Sequence, residues 1–75
     1  MPKLPPVKAK DLIKILNKSG FSEVRQKGSH KFFRHKDGRT TVVPYHQKNE
    51  ISRGLLRAIL EDIKMSVEEY LKLRK

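Results

Sequence analysis

The chain has 75 residues, a formal net charge of +10 and no cysteine. That length allows one small domain, residues 1–75, with a modest core. The lack of cysteine excludes disulfides and thiolate chemistry, and the charge calls for a polyanionic partner such as nucleic acid or an acidic protein. The charge is uneven: residues 1–39 carry eleven Lys/Arg against three Asp/Glu, and residues 40–75 carry seven against five. The phosphate-facing surface therefore belongs mainly to the N-terminal half.

Residues 1–7 are proline-rich and are expected to be extended ahead of the fold. They lack the apolar run of a signal peptide, and no stretch approaches the ~20 apolar residues that span a membrane. A cytoplasmic protein without membrane contact is the expectation. From Lys8 to Ser19, Ala9, Leu12, Ile13, Ile15 and Leu16 recur at helical spacing, with Lys10, Lys14 and Lys18 on the wet side. Gly20 stands where a C-cap glycine belongs.

Phe21–Lys27 and His30–His35 read as two strands joined at Gly28-Ser29. Lys36-Asp37-Gly38 is a hairpin turn, and Arg39–Pro44 is the third strand, ended by a proline that cannot donate to a ladder. Tyr45–Glu50 reads as a loop. Ile51, Leu55, Leu56, Ile59, Leu60 and Ile63 mark a second amphipathic helix. Gly54 near its start costs about 1 kcal/mol relative to Ala and reads as room for a close approach to the sheet or to RNA. Ser66-Val67-Glu68-Glu69 matches a capping box and opens a last helix through Leu73.

The order is α-β-β-β-α-α: an α+β fold whose three-stranded antiparallel meander has helices on one face. Phe32 and Phe33 must point to opposite faces of the sheet, and so must Val42 and Val43. One of each pair meets the helices. The other is exposed or covered by another chain, either a copy of this one or a different partner.

The chemistry converges on Gly28-Ser29-His30, set between Arg25-Gln26-Lys27 and Lys31-Phe32-Phe33-Arg34-His35. A basic surface collects phosphates, and an imidazole can move a proton near neutral pH. RNA cleavage needs a base for the proton of its 2′-hydroxyl, or of water, and cations for the charge that builds on phosphorus. His30 is the candidate base. Arg25, Lys27, Lys31 and Arg34 are candidate phosphate contacts, with the Gly28-Ser29 turn beside them. Ser29 is a poor candidate nucleophile, because RNA carries its own. His46 is a candidate RNA contact and partner acid, and His35 reads as a solvated residue or phosphate contact. Phe32 or Phe33 offers a ring for a base, with core packing expected for at least one. Glu61, Asp62, Glu68 and Glu69 have no spacing to His30 that suggests a metal site, so metal-independent chemistry without a cofactor is expected.

Gly20-Phe21, Arg25-Gln26-Lys27-Gly28-Ser29-His30, Phe33-Arg34-His35, Asp37-Gly38, Val43-Pro44-Tyr45-His46 and Gly54-Leu55-Leu56-Arg57 follow in an order that resembles the HicA toxins, mRNA interferases of toxin–antitoxin pairs. The resemblance covers nearly the whole chain. It implies a fold like the double-stranded RNA-binding domain, endoribonuclease action on mRNA that blocks translation, and neutralisation by a cognate HicB-type antitoxin. It also implies that the functional histidine is His30. The family often has Ser or Thr where Lys8 would cap the first helix, so that cap should be weak here. Two other classes fit the composition: a non-catalytic double-stranded RNA-binding module and a small ribosome-associated protein. Both predict bound RNA without cleavage products.

Overall fold

A computed structural model describes residues 4–45 and 50–74. The elements run β1 (Val7–Lys8), α1 (Ala9–Lys18), β2 (Phe21–Lys27), β3 (His30–His35), β4 (Thr40–Pro44), β5 (Glu50–Ile51), α2 (Arg53–Asp62) and α3 (Val67–Arg74). The fold is α+β and resembles the double-stranded RNA-binding domain: an antiparallel β2-β3-β4 sheet with the helices on one side.

The helices follow the apolar spacing. α1 buries Ala9, Leu12, Ile15 and Leu16 and leaves its lysines in water. Lys8 at its N-cap makes no side-chain bond, as the missing Ser or Thr foretold. α1 ends at Lys18 with Ser19 as its C-cap, and Gly20 turns the chain into β2 with φ +92. α2 starts two residues later than the apolar pattern suggested. Ser52 caps it through Oγ, which accepts from the Leu55 N–H at 3.3 Å, and this leaves Ile51 in β5. In α3, Ser66 and Glu69 form the anticipated capping box. The Glu69 N–H donates to Ser66 Oγ at 3.1 Å and the Ser66 N–H donates to Glu69 Oε1 at 3.4 Å. A Cβ on Gly54 would meet open space, so this glycine marks no close approach to the sheet.

Residues 4–7 are part of the fold, contrary to expectation. Leu4 and Val7 are core residues, and Val7 and Lys8 pair antiparallel with Ile51 and Glu50. Pro5 and Pro6 hold the chain extended between the two buried side chains, and Arg53 Nε donates to the Leu4 carbonyl at 3.1 Å. Glu50, read from the sequence as the end of a loop, instead opens β5.

The pleat decides the rest. Phe33, Thr41 and Val43 point to the helices and are buried with Phe21. On that face Thr41 Oγ1 donates to Asp62 Oδ2 at 3.1 Å, and Arg39 donates to the Ile63 carbonyl, tying β4 to the end of α2. Phe32 and Val42 lie across from each other on the opposite face and are only partly buried.

Candidate functional site

Registers assign side chains to the open face of the sheet in three cross-strand rows. Lys27, His30 and Pro44 form the first; Arg25, Phe32 and Val42 the second; Ser22, Arg34 and Thr40 the third. Residues directly opposite have Cβ atoms about 4.5–5.5 Å apart. Successive rows on one strand are separated by about 6.6–6.8 Å.

The first row depends on the turn before it. Gly28 and Ser29 form a two-residue hairpin loop between the Lys27–His30 pair. Gly28 has φ +58, while Ser29 is not among the positive-φ residues. This is the sign pattern of a type II′ turn, whose first central position favours glycine. A Cβ on Gly28 would touch nothing, so the requirement is backbone conformation rather than space. The Tyr45 N–H donates to the Ser29 carbonyl, which fastens the end of β4 to this turn. His30 is exposed beside it.

A register shift between Glu23 and Arg25 brings the cations to His30. Strict alternation from buried Phe21 would put Arg25 and Lys27 on the helix side. The extra residue, Val24, bulges outward and is 58% exposed. The strand is thereby inverted from Arg25 onward, so that Arg25 and Lys27 share the face of His30. Sequence reasoning missed this bulge. Its signal was available: Arg25 and Lys27 share the parity of a core phenylalanine, and two cations do not belong in a core.

Of the eight residues anticipated as functional, Arg25, Lys27, His30 and Arg34 gather on the open face, with Gly28 and Ser29 at its edge. Lys31 does not join them. It has the parity of Phe33, and its Nζ lies 3.2 Å from Glu23 Oε1 and 4.5 Å from the centre of the Tyr45 ring. His46 lies outside the described residues.

His35, read from sequence as a solvated residue or phosphate contact, is a packing residue. Its ring meets Phe21 edge-on at 5.1 Å and crosses Gly20 so closely that a Cβ there would fall 2.8 Å from its Nε2. The Asp37 N–H lies 3.1 Å from His35 Nδ1. Asp37 is held below the ordinary carboxylate range, first by the hydrogen bond from the Arg39 backbone N–H and further by the Arg39 guanidinium. Beside this corner is an open groove of about 510 Å³, lined by Ser22, Val24, Arg34 and Lys36 together with Gly20 and His35.

Phe32 carries one feature that composition could not reveal. The Arg25 guanidinium carbon lies 4.7 Å from the centre of its ring, within cation–π range. Among the described residues no three His, Cys, Asp or Glu side chains cluster as a metal site would require.

A three-stranded sheet backed by helices, with an exposed histidine among cations on its free face, defines a small basic protein of the double-stranded RNA-binding-domain type. The family model for the HicA toxin of bacterial toxin–antitoxin systems matches residues 9–65, from the first residue of α1 past the end of α2. The chain belongs to that family, and it is therefore a toxin with an antitoxin partner. HicA toxins are generally RNases. No curated protein matches the chain's sequence. No helix among the described residues is long and apolar enough to cross a membrane.

Proposed function

We propose that this toxin is a metal-independent endoribonuclease that cuts mRNA and blocks translation, with His30 as its catalytic base. The observation that supports this most is the first cross-strand row. His30 is exposed opposite Lys27, on the face that also carries Arg25 and Arg34. In the proposed step the imidazole takes the proton of the RNA 2′-hydroxyl. The 2′-oxygen then bonds to phosphorus while the P–O5′ bond breaks, and the departing 5′-oxygen is protonated by an acid, for which we propose His46. Lys27, Arg25 and Arg34 stabilise the negative charge that builds on the phosphoryl oxygens, and the Gly28-Ser29 turn fixes Lys27 against His30. Because RNA supplies the nucleophile and His30 the base, the step needs no metal.

The partner is proposed to be an acidic antitoxin of the HicB type. A net charge of +10 favours its rapid capture. Phe32 and Val42 give it apolar surface to bury over the same face, which would exclude mRNA by occlusion.

One cleavage assay tests the reading. His30→Ala should remove cleavage and growth inhibition while leaving the circular dichroism spectrum unchanged, because the side chain is exposed. EDTA should leave wild-type cleavage intact, and saturating antitoxin should stop it. Wild-type rates in His30→Ala would remove the catalytic assignment. Metal-restored activity after chelation would remove the mechanism. Cleavage persisting in the saturated complex would remove occlusion.

A further inference from the structure

We infer that Phe32, with Arg25 against its ring, is a platform on which one RNA base stacks, and that the site takes single-stranded RNA. This rests on the reading that His30 cuts RNA on the same face. Three observations carry it.

First, Phe32 is not needed by the core. Its neighbour Phe33 is 1% exposed among the helices, whereas Phe32 stands on the face that no helix covers. Second, its partner is a guanidinium at 4.7 Å. Aromatic rings and guanidinium planes are the two kinds of surface on which proteins stack unpaired bases, and here they are joined. The Val24 bulge is what brings them together, since without it Arg25 would face the other way.

The third observation is spacing. Phe32 is two residues from His30 on one strand, so the rows are about 6.6–6.8 Å apart. A base can lie on Phe32 beside a phosphate held at His30 only if that base has left the helical stack. A base within a duplex has both faces covered by its neighbours and offers nothing to the ring. The fold is that of a duplex binder, but this sheet face suits a strand with its bases splayed apart. Because every base has a π-face, the platform should tolerate any base at that position.

The chain has no tryptophan, so Phe32→Trp introduces a single indole reporter at the platform. The probe is a 2′-O-methyl single-stranded oligonucleotide, which has no free 2′-hydroxyl to be cut. Binding is followed by anisotropy of a label on the oligonucleotide and, separately, by quenching of the indole. The single strand should bind Phe32→Trp and quench its emission, whereas the blunt duplex of the same sequence should leave the emission unchanged. Phe32→Leu should bind the single strand roughly 5- to 150-fold more weakly than wild type, and Phe32→Tyr should restore binding.

Wild-type affinity in Phe32→Leu, or equal quenching by the duplex, overturns the inference alone. Unquenched indole in a Phe32→Trp protein that binds the single strand overturns it too, even if Phe32→Leu does not fold. If wild-type protein neither binds nor cuts any RNA, the underlying reading falls and this one with it.

Discussion

Gly20 is the position where one added methyl group should cost the fold most, and the reason can be separated into parts. Its φ of +92 lies in the left-handed region, where a side chain costs about 1–2 kcal/mol. A Cβ would also fall 2.8 Å from His35 Nε2. The imidazole cannot swing away freely, because it rests on Phe21 at 5.1 Å and its Nδ1 faces the Asp37 N–H at 3.1 Å. Forcing it aside should cost a further ~1–3 kcal/mol, the usual range for overpacking. Gly20→Ala is thus expected to lose about 2–5 kcal/mol of a total that for this length is roughly 4–11 kcal/mol. The melting temperature should fall by at least ~8 °C. In His35→Ala the ring is gone, so Gly20→Ala in that background should keep only the backbone cost. Urea unfolding of the wild type, both single variants and the double variant, followed by circular dichroism at 25 °C, closes the cycle. The double variant should be more stable than additivity allows by about 1–3 kcal/mol. Additivity within about 0.5 kcal/mol would show that the ring and the glycine are not coupled, and the steric account would fail.

Tyr70 is fully buried, and its hydroxyl has no hydrogen-bond partner among the described residues, so Tyr70→Phe should leave stability unchanged or raise it slightly in the same unfolding assay. Burial raises the Tyr70 pKa, opposed by the Arg74 charge and reinforced by Asp11; the wild type should therefore lose stability as pH rises above ~10, a loss that Tyr70→Phe should lessen. Ser66→Ala removes the oxygen that accepts the Glu69 N–H and should cost about 0.5–2 kcal/mol in urea unfolding; an unchanged midpoint would show that α3 is held by packing alone.

The fold was legible where a side chain or a turn dictates it. The Asp37-Gly38 turn, the Gly28-Ser29 turn and Pro44 bound the three long strands, and β3 runs from His30 to His35 as expected. The Ser66/Glu69 pair marked the start of α3 for the same local reason. The two-residue strands β1 and β5 were not legible, because a ladder of two pairs has no period to read and its partners are more than forty residues apart. The faces of the sheet were legible only as alternatives. That Phe32 and Phe33 oppose each other follows from the pleat, but which one meets the helices follows from a register set by distant contacts. The same limit hid the division of cations in the candidate site. From its charge and position Lys31 is as good a phosphate contact as Lys27, yet one residue of parity turns it to Glu23 and Tyr45. Only the bulge at Val24 puts Arg25 and Lys27 beside His30.

That division gives the candidate interface a measurable charge. The chain carries +10, yet among the described residues the strands of the free sheet face present three cations, Arg25, Lys27 and Arg34. Lys14, Lys18 and Arg74 line a groove on the helix side instead, and Lys31 is paired. A single strand lying on the sheet face should release counterions in proportion to the phosphates it neutralises, with a slope of about −0.7 for each in a plot of log affinity against log salt. Three contacts give a slope of about −2, or roughly a twentyfold loss of affinity between 50 and 200 mM salt. If the whole net charge were engaged, the slope would be about −7 and the loss roughly ten-thousandfold. Anisotropy with a single-stranded 2′-O-methyl oligonucleotide measures the slope. Lys27→Gln should reduce its magnitude by about 0.7, while Lys31→Gln should leave it unchanged. A slope steeper than about −4, or equal reductions from the two variants, would mean that the strand also follows cations on the edge or the helix side. The sheet face would then be only part of the path.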